Sequence, residues 1–289
     1  EIYTLSLHDA LPISSGHRPR RPAIAPEAHF PMQHRDPQTG FCTLPASQDE
    51  PAPGPWWPAP RPAVRYVGDP MCSWCRDIAP TLHGLAGYCQ RHDLDFAITA
   101  GGLRPGGGDP WTAAFRDFLR REWEAIDQVT GQPFGYSLLD QASFDYDTEP
   151  ACRAVVTLSH LLAPGAQHGS EILAFFSGIQ RKFHVDGQVP KALDFYRGLC
   201  APCGISGAAF RAAFLSPEMH AATRAAFAQG RHRGVPGFPT LLLDSNGRIH
   251  PLATGYIGGA ALIANLEKLI DAKAARPAAD QSSLSTRGA

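Results

Sequence analysis

The stretch Cys72-Ser73-Trp74-Cys75 lies between a short strand-like run and a helix-like run. The preceding run, Ala63-Val64-Arg65-Tyr66-Val67, is rich in β-branched and aromatic residues, which favour a buried strand. After the motif, apolar side chains recur at every third or fourth position, as on one buried face of a helix. They are Trp74, Ile78, Leu82, Leu85 and Cys89. The first cysteine is therefore predicted to lie at a strand-to-helix junction.

This position suits thiol chemistry. The first turn of a helix has unpaired backbone N–H groups, and the helix dipole favours negative charge there. A thiolate at Cys72 is therefore expected to be stabilised, and the thiolate is the form that attacks disulfides. Cys75 follows three positions later, about one helical turn away, so it can close a disulfide with Cys72. We predict a redox-active pair.

A Cys-x-x-Cys motif can also be half of a zinc site or an inert structural pair. A four-cysteine zinc ribbon needs a second pair about 15–20 residues away. The second pair in this chain, Cys200 and Cys203, lies much farther downstream, which excludes a compact ribbon. An inert or structural pair stays open as the alternative. The histidines show no spacing typical of metal ligands, so no metal site is predicted.

A second motif lies near the carboxyl end of the chain. Gly234-Val235-Pro236-Gly237-Phe238-Pro239-Thr240 leads into an apolar run, Leu241–Leu243, that is typical of a buried strand. Proline cannot donate to a sheet ladder, so Pro239 is expected at the first position of that strand, where a cis bond is often retained. A turn at Asp244–Gly247 and a strand near Arg248–Leu252 complete a predicted antiparallel hairpin, and a helix follows.

Together, the motif Asp69-Pro70-Met71-Cys72-Ser73-Trp74-Cys75, the Phe238-Pro239-Thr240 loop and the hairpin-plus-helix ending resemble the DsbA family of thioredoxin-fold oxidoreductases. Within that family the motif is most similar to the FrnE-like branch. The resemblance covers about residues 63–273. It implies an α/β chain, a thioredoxin fold with a large inserted helical domain.

The resemblance also implies roles for individual residues. Cys72 would be the more exposed nucleophile and Cys75 the buried resolving thiol. The redox-active disulfide between them would be the reactive group, with no further cofactor. Substrate binding would involve Trp74 and Met71 beside the sulfur, Pro239 as a cis-proline facing the disulfide, and the backbone of Phe238. That backbone would pair with an extended peptide by strand addition. Simple helix packing for Trp74 and a trans loop proline at 239 are the alternatives.

The order of the motifs predicts the domain organisation. Residues 63–104 and 230–275 are expected to form the thioredoxin-fold domain, with Leu94–Ala100 as its second strand. Residues 105–229 show helical periodicity and are expected to form the inserted domain, with shorter helices over Pro190–Leu199 and Gly207–Phe214. Tandem domains are excluded because the strands of one sheet lie on both sides of the helical region.

The two ends of the chain differ from the rest. Residues 1–62 contain 13 of the 27 prolines and little apolar periodicity, so they are predicted to be a disordered or extended tail. Residues 1–14 resemble a translated sequencing adapter, which makes Met32 a candidate start. Residues 276–289 are predicted to be a second disordered tail.

Composition limits the function classes. The net charge of −1 gives no reason to expect a nucleic-acid or anionic-membrane partner. The sequence has no long apolar run and no recognisable secretory signal, so a cytoplasmic location is expected. In a reducing compartment the pair would stand mostly reduced, which favours reductase or isomerase activity. The oligomeric state is left open.

Five further cysteines need an interpretation. Cys42 falls in the predicted tail and is expected to be free. Cys89 falls on the apolar face of the first helix and is expected to pack there. Cys152 opens an inserted helix, where packing is favoured over contact with substrate. Cys200 and Cys203 either form an accessory redox pair or end a helix, with Pro202 and Gly204 beside them as stop signals.

The function predicted from these residues is dithiol–disulfide exchange with protein or peptide substrates or with glutathione, through a mixed disulfide at Cys72 that Cys75 resolves. One alternative is a glutathione-dependent isomerase or transferase of the kappa type, although those enzymes commonly have Ser where Cys72 stands. Another is a peptide-binding module without catalysis. The direction of electron flow does not follow from the sequence.

Overall fold

The structure is a computed structural model that describes residues 35–36, 39–44, 61–162, 168–245 and 248–274. The predictions for residues 1–14, for a start at Met32, for the turn at 246–247 and for the tail 276–289 lie outside the described residues.

A four-stranded mixed sheet lies at the centre, in the order β4-β3-β6-β7. Its strands are β3 (Ala63–Gly68), β4 (Asp95–Ala100), β6 (Thr240–Ser245) and β7 (Arg248–Thr254). β3 pairs in parallel with β4 and antiparallel with β6, and β6 pairs antiparallel with β7. All six residues of β3 are buried, as its β-branched and aromatic composition predicted. The strands come from both ends of the sequence, which is the arrangement of a thioredoxin fold.

The helix after the cysteine motif is broken. It consists of α1 (Ser73–Asp77) and α2 (Ala79–Arg91), separated at Ile78. Pro80 lies in the first turn of α2, and because it has no N–H it cannot continue the hydrogen-bond ladder of α1. Leu82, Leu85 and Cys89 are buried on one face of α2, in agreement with the predicted periodicity.

Among the described residues, five helices lie between β4 and the second half of the sheet. They are α3 (Ala113–Thr130), α4 (Glu149–Leu161), α5 (Gly169–His184), α6 (Gly207–Phe214) and α7 (Pro217–His232). Thr112, Ser206 and Ser216 cap three of them, because each side-chain oxygen accepts a backbone N–H from the first turn. The helix α8 (Gly259–Ala274) ends the described chain. The fold is therefore α/β, a thioredoxin fold with a helical insertion.

The predicted helix over Pro190–Leu199 is wrong: only a single 3-10 turn forms, at Leu193–Tyr196. Side chains satisfy backbone carbonyls that a helix would have used. The Tyr196 hydroxyl donates to the carbonyl of Pro190 at 2.6 Å, and the Lys182 ammonium donates to the carbonyl of Phe195. Gly198 follows with φ +82°, a left-handed conformation that ends the turn.

Two strands of a small second sheet lie within the predicted amino-terminal tail. Its strands are β1 (Arg35–Asp36), β2 (Phe41–Thr43) and β5 (Gly237–Phe238), in that order and antiparallel throughout. At these residues the structure differs from the disorder expected of the proline-rich stretch. Backbone hydrogen bonds to a distant segment order them, and composition does not report such bonds. We call residues 35–36 and 39–44 the amino-terminal hairpin.

Across the described part of the chain, helix length and hydropathy fall short of what crossing a bilayer requires.

The buried carboxyl group of Asp77, in α1, makes stability depend on pH. Burial raises its pKa to about 7, although the Thr130 hydroxyl donates to it at 2.9 Å. The folded protein therefore keeps the proton up to about pH 7, whereas an unfolded chain releases it near pH 4. The sign follows: the stabilising contribution is complete below about pH 4 and is lost as pH rises to 7.

We expect Asp77→Asn to raise the free energy of unfolding at pH 8 by about 2–4 kcal/mol and to change it little at pH 4. Urea unfolding of both proteins across this range measures the difference. Asp117→Asn, which changes an exposed carboxyl on α3, is the matched control and should keep the slope of the parent protein. Equal pH slopes for Asp77→Asn and the parent would contradict the assignment.

Candidate active site

Cys72 lies where the sequence predicts it, at the start of a helix. It is the N-cap of α1, with extended backbone angles of φ −78° and ψ 124°. Its N–H donates to the carbonyl of Asp69 at 3.1 Å, and its own carbonyl accepts the N–H of Arg76 at 3.1 Å. The turn Asp69–Cys72 therefore leads directly into the helix. Cys75 follows one turn later, and both are free thiols.

The Cys75 sulfur is buried next to Tyr66 of β3 and Asp69, which follows β3 directly. The backbone N–H of Asp69 donates to it at 3.5 Å. Tyr66 is fully buried beside it, and burial, followed by the proximity of Cys75, raises the pKa of the Tyr66 phenol well above its usual value. A thiol held in this way is inaccessible from solvent, which fits the predicted position of the second cysteine.

Asp69 holds the turn in shape. Its buried carboxylate accepts the N–H of Met71 at 2.8 Å and that of Leu103 at 2.6 Å. The Cys152 thiol donates to the same carboxylate at 3.3 Å. Burial raises the pKa of Asp69, and the two backbone hydrogen bonds partly offset this. From the sequence, Asp69 is identified only as part of the cysteine motif. An acid directly after a buried strand was the signal for a structural role.

The predicted exposure of Cys72 is wrong. Its relative exposure is 0%, as is that of Cys75. Burial is the main cause that raises the pKa of the Cys72 thiol well above its ordinary value, and a hydrogen bond with Cys42 lowers it only in part. The predicted thiolate at the helix start is therefore not favoured in this arrangement, because α1 is short and removal from water opposes the charge.

Cys42 covers Cys72. The two Sγ atoms are 3.5 Å apart, within hydrogen-bonding distance for sulfur, and both side chains are fully buried. Cys42 is reduced, as predicted, but it lies in an ordered strand against the nucleophile rather than in a tail. The strand-favouring residues Phe41 and Thr43, directly after the turn residue Gly40, were the available signal. Within the described residues, no group of three or more His, Cys, Asp or Glu side chains is arranged to hold a metal ion.

The edge predicted to receive a substrate strand is occupied by the chain itself. Cys42 pairs with Phe238, and Thr43 pairs with Gly237. The Leu44 N–H donates to the carbonyl of Pro236 at 2.9 Å, which extends the pairing. The free backbone edge expected at Phe238 is therefore absent in this conformation, because β2 already lies there.

Phe238 and Pro239 belong to the loop around this edge. The peptide bond between Phe238 and Pro239 is cis, and Pro239 is buried next to β6. The ring of Phe238 lies against the backbone of Gly101, where a Cβ atom would come within 2.1 Å of the ring. The carbonyl of Pro239 accepts the N–H of Gly255 at 2.8 Å. Any side chain at position 101 would displace the ring of Phe238.

Trp74 and Met71 are buried rather than part of an open docking surface. Trp74 is 2% exposed, and its ring lies against Gly40 of the hairpin, where a Cβ would approach Cε3 to 2.9 Å. Met71 is 0% exposed, and its carbonyl accepts the Tyr146 hydroxyl at 2.6 Å. The amino-terminal hairpin and the insertion cover the two residues. The packing alternative holds for Trp74 in this conformation.

The cysteines of the insertion lie in two different places. Cys152 is fully buried and contacts Asp69, so it reaches the active-site turn from the insertion. Cys200 lies just before the 3-10 turn Ala201–Cys203, and its thiol contacts the carbonyl of Tyr196 at 3.8 Å. Among the contacts of the described residues, none joins Cys200 or Cys203 to Cys72 or Cys75. The accessory redox role of this pair stays a prediction.

No protein-family model matches the chain, and no curated protein matches it. Solved structures are similar to it, however. A candidate protein disulfide isomerase from Nitrosomonas europaea is 31% identical, with a TM-score of 0.65, over 73% of this chain and 98% of that one. The cytosolic disulfide reductase DsbM from Pseudomonas aeruginosa is 28% identical, with a TM-score of 0.58, over 73% and 99%. The structure of DsbM with glutathione is 29% identical, with a TM-score of 0.56, over 72% and 99%.

Proposed function

Because the chain belongs to the DsbA family of thioredoxin-fold proteins, we propose that it is a thiol–disulfide oxidoreductase that acts through Cys72 and Cys75. The observation that carries this proposal is the pair itself. Two reduced cysteines lie one turn apart at the start of α1, the first as the N-cap and the second in the buried interior. A more specific place in the FrnE-like branch rests on the motif Asp69–Cys75 alone.

The proposed reaction has two exchange steps. Cys72, as thiolate, attacks one sulfur of a substrate disulfide, and the other substrate sulfur leaves as a thiolate that takes up a proton. Cys75 then loses its proton and attacks the Cys72 sulfur of the mixed disulfide. The second substrate thiol leaves, and a Cys72–Cys75 disulfide remains. Two glutathione molecules can restore the dithiol by the reverse sequence of exchanges.

The environment of Cys72 favours the reducing direction. A pair oxidises its substrates strongly when the reduced form is stabilised, chiefly as a thiolate. Burial works against the Cys72 thiolate here and raises the pKa of this thiol. The similar DsbM protein is described as a cytosolic disulfide reductase. We therefore assign the chain a reductase function in a reducing, cytoplasmic setting.

Glutathione is the partner that needs the smallest displacement of the segment covering Cys72. DsbM has a structure with glutathione, and a tripeptide needs less room than a protein segment. An extended protein substrate could reach Cys72 only after β2 leaves the Phe238 edge, because β2 makes the backbone pairs that the substrate would make. Small disulfides are therefore proposed as first substrates, and protein or peptide disulfides as substrates of a state with the hairpin displaced.

The alternatives predict different results. A kappa-type glutathione isomerase or transferase would need Cys72 at most and would not form a Cys72–Cys75 disulfide. A peptide-binding module without catalysis would have no titratable dithiol couple. Both alternatives leave Cys75 without a role, so the presence of two cysteines one turn apart at the start of α1 favours the oxidoreductase.

The test is a redox titration of the whole chain in glutathione buffers, read by alkylation of Cys72 and Cys75 and combined with glutathione-dependent reduction of cystine. We expect one two-electron couple with a potential near about −270 mV, rather than near about −120 mV as for a strong oxidant. Catalysed turnover should accompany it. Cys72 and Cys75 that stay alkylatable in every buffer, without turnover, would refute the proposed function. A potential near −120 mV would refute only its direction.

A further inference from the structure

We propose that Cys42 is a third redox-active cysteine, which displaces Cys75 from Cys72 and closes a Cys42–Cys72 disulfide that holds the amino-terminal hairpin over the active site. This inference rests on the proposed function, because the Cys72–Cys75 disulfide supplies the oxidising equivalent. The hairpin has no role in the two-cysteine reaction, and in this proposal it blocks the active site.

Sulfur contact is the first observation. The Sγ atoms of Cys42 and Cys72 are 3.5 Å apart with no exposed surface on either residue. A disulfide requires about 2.05 Å, so the two sulfurs must approach each other by roughly 1.5 Å for the bond to form. Cys75 is the second thiol next to Cys72, and its sulfur accepts the N–H of Asp69. Cys72 therefore has two neighbouring thiols as candidate partners.

The backbone of the hairpin lies where a substrate strand is expected to bind. β2 pairs antiparallel with β5, directly before Pro239, in the way expected of an extended substrate that adds a strand. In this pairing Cys42 is opposite Phe238 and its sulfur meets Cys72. Cys42 thus occupies the position of a substrate cysteine, and β2 occupies that of the substrate strand.

Contacts outside β2 hold the hairpin in this register. The carbonyl of Thr39 accepts the N–H of Tyr256 at 3.1 Å. Gly40 has φ +64°, and a Cβ there would lie 2.5 Å from the Cβ of Tyr256 and 2.9 Å from the ring of Trp74. Only glycine fits this position without moving the hairpin. This close fit holds the hairpin in the position that brings the Cys42 sulfur into contact with Cys72.

The exchange step is balanced without another oxidant. The Cys42 thiolate attacks the Cys72 sulfur of the Cys72–Cys75 disulfide, so the Cys42–Cys72 bond forms and the Cys72–Cys75 bond breaks. The electron pair of the broken bond stays on Cys75, which takes the proton that Cys42 released. The number of disulfides is unchanged. In the product the nucleophile is blocked and the Phe238 edge is covered, until a small thiol such as glutathione attacks the Cys42–Cys72 bond.

Peptide mapping of the oxidised full chain tests this step. Trypsin cuts after Arg35, Arg65 and Arg76 but not after Arg61, which precedes proline, so Cys42 leaves in peptide 36–65 and both active-site cysteines leave in 66–76. After equilibration with glutathione disulfide, acid quenching and alkylation, we expect a cross-linked pair of these peptides besides the internal 66–76 disulfide.

Variants separate the possible outcomes. In Cys75→Ser the cross-linked pair should become the main oxidised form, and in Cys42→Ser/Cys75→Ser it should be replaced by a glutathione adduct on Cys72. A Cys75→Ser protein with only the glutathione adduct would overturn the inference. An internal Cys72–Cys75 disulfide with turnover but no cross-link would sink this inference alone. The absence of any Cys72 disulfide would sink the proposed function as well.

A second experiment displaces the hairpin and leaves all cysteines in place. Gly40→Val should displace the hairpin, so that iodoacetamide alkylates Cys72 of the reduced protein at least about tenfold faster and the cross-link is lost. Thr39→Ala is the matched control, because Thr39 has an exposed side chain and bonds through its carbonyl. It should keep the slow alkylation and the cross-link. Wild-type behaviour of Gly40→Val in both assays would show that the hairpin does not position Cys42.

Discussion

Replacement of Cys72 by Ser is expected to reduce disulfide exchange to the uncatalysed background. A serine hydroxyl stays protonated at neutral pH and cannot form a mixed disulfide, so neither exchange step can begin. The substitution is small, and Cys72 is buried at the cap of α1, so the fold should persist. Reduction of insulin and reduction of cystine, each with glutathione as the electron donor, measure the loss.

Replacement of the second cysteine is expected to stop the reaction at a different step. Cys75→Ser should still form the mixed disulfide at Cys72 but should not release the substrate through Cys75. Because Cys42 can resolve the adduct internally, the stable mixed disulfide should accumulate most in Cys42→Ser/Cys75→Ser. Intact-mass analysis of the protein after incubation with glutathione disulfide would show the adduct.

Cys89→Ala is the control for loss of a buried thiol. Cys89 packs on the inner face of α2, and its removal should leave turnover near that of the parent protein. Equal activity of the parent, Cys72→Ser and Cys75→Ser in insulin reduction would contradict both assigned roles. Adduct formation on Cys75 in Cys72→Ser, at the rate seen for Cys72 in the parent, would show that the roles are reversed.

The largest expected loss of stability is that of Trp123→Ala in the insertion. Trp123 is fully buried in α3, with its ring centroid 5.4 Å from that of Phe134 and 6.4 Å from that of Phe183. Truncation leaves a large cavity between α3 and α5, so the free energy of unfolding should fall by about 3–5 kcal/mol. No hydrogen-bond acceptor for the indole N–H is present among the described residues, so the loss comes from packing.

Urea unfolding gives this difference as a lower midpoint with an unchanged slope. Val129→Ala, on the same helix, is the matched control, since Val129 is 64% exposed and its truncation should change stability by less than about 0.5 kcal/mol. Similar midpoints for Trp123→Ala and Val129→Ala would show that the insertion is not packed as described.

The buried elements of the fold were predictable because local composition and periodicity carry their signal. The strand Ala63–Gly68, the apolar face of α2 and the strand after Pro239 follow from β-branched runs and helical spacing. The lack of a regular helix over Pro190–Leu199 was not predictable in this way. Side-chain bonds from Tyr196 and Lys182 to backbone carbonyls compete with helix formation there, and they depend on the folded arrangement.

The candidate site shows the same division. The Cys72–Cys75 pair and the Phe238–Pro239 loop were identified from their motifs, because each motif reports on its own local backbone. The exposure of Cys72 was predicted incorrectly, because it depends on which other segment covers the sulfur. That segment is the hairpin bearing Cys42, which precedes the motif by 30 positions in the chain.

Local order along the chain thus identifies the protein's class and its reactive pair: a strand, a Cys-x-x-Cys turn and an amphipathic helix are readable from neighbouring residues. The folded state alone brings Cys42 to 3.5 Å from Cys72, places β2 on the Phe238 edge and removes both reactive thiols from water. The reason is physical. Thiol pKa and access depend on burial, and burial is created by contacts between segments far apart in sequence, which no local pattern encodes.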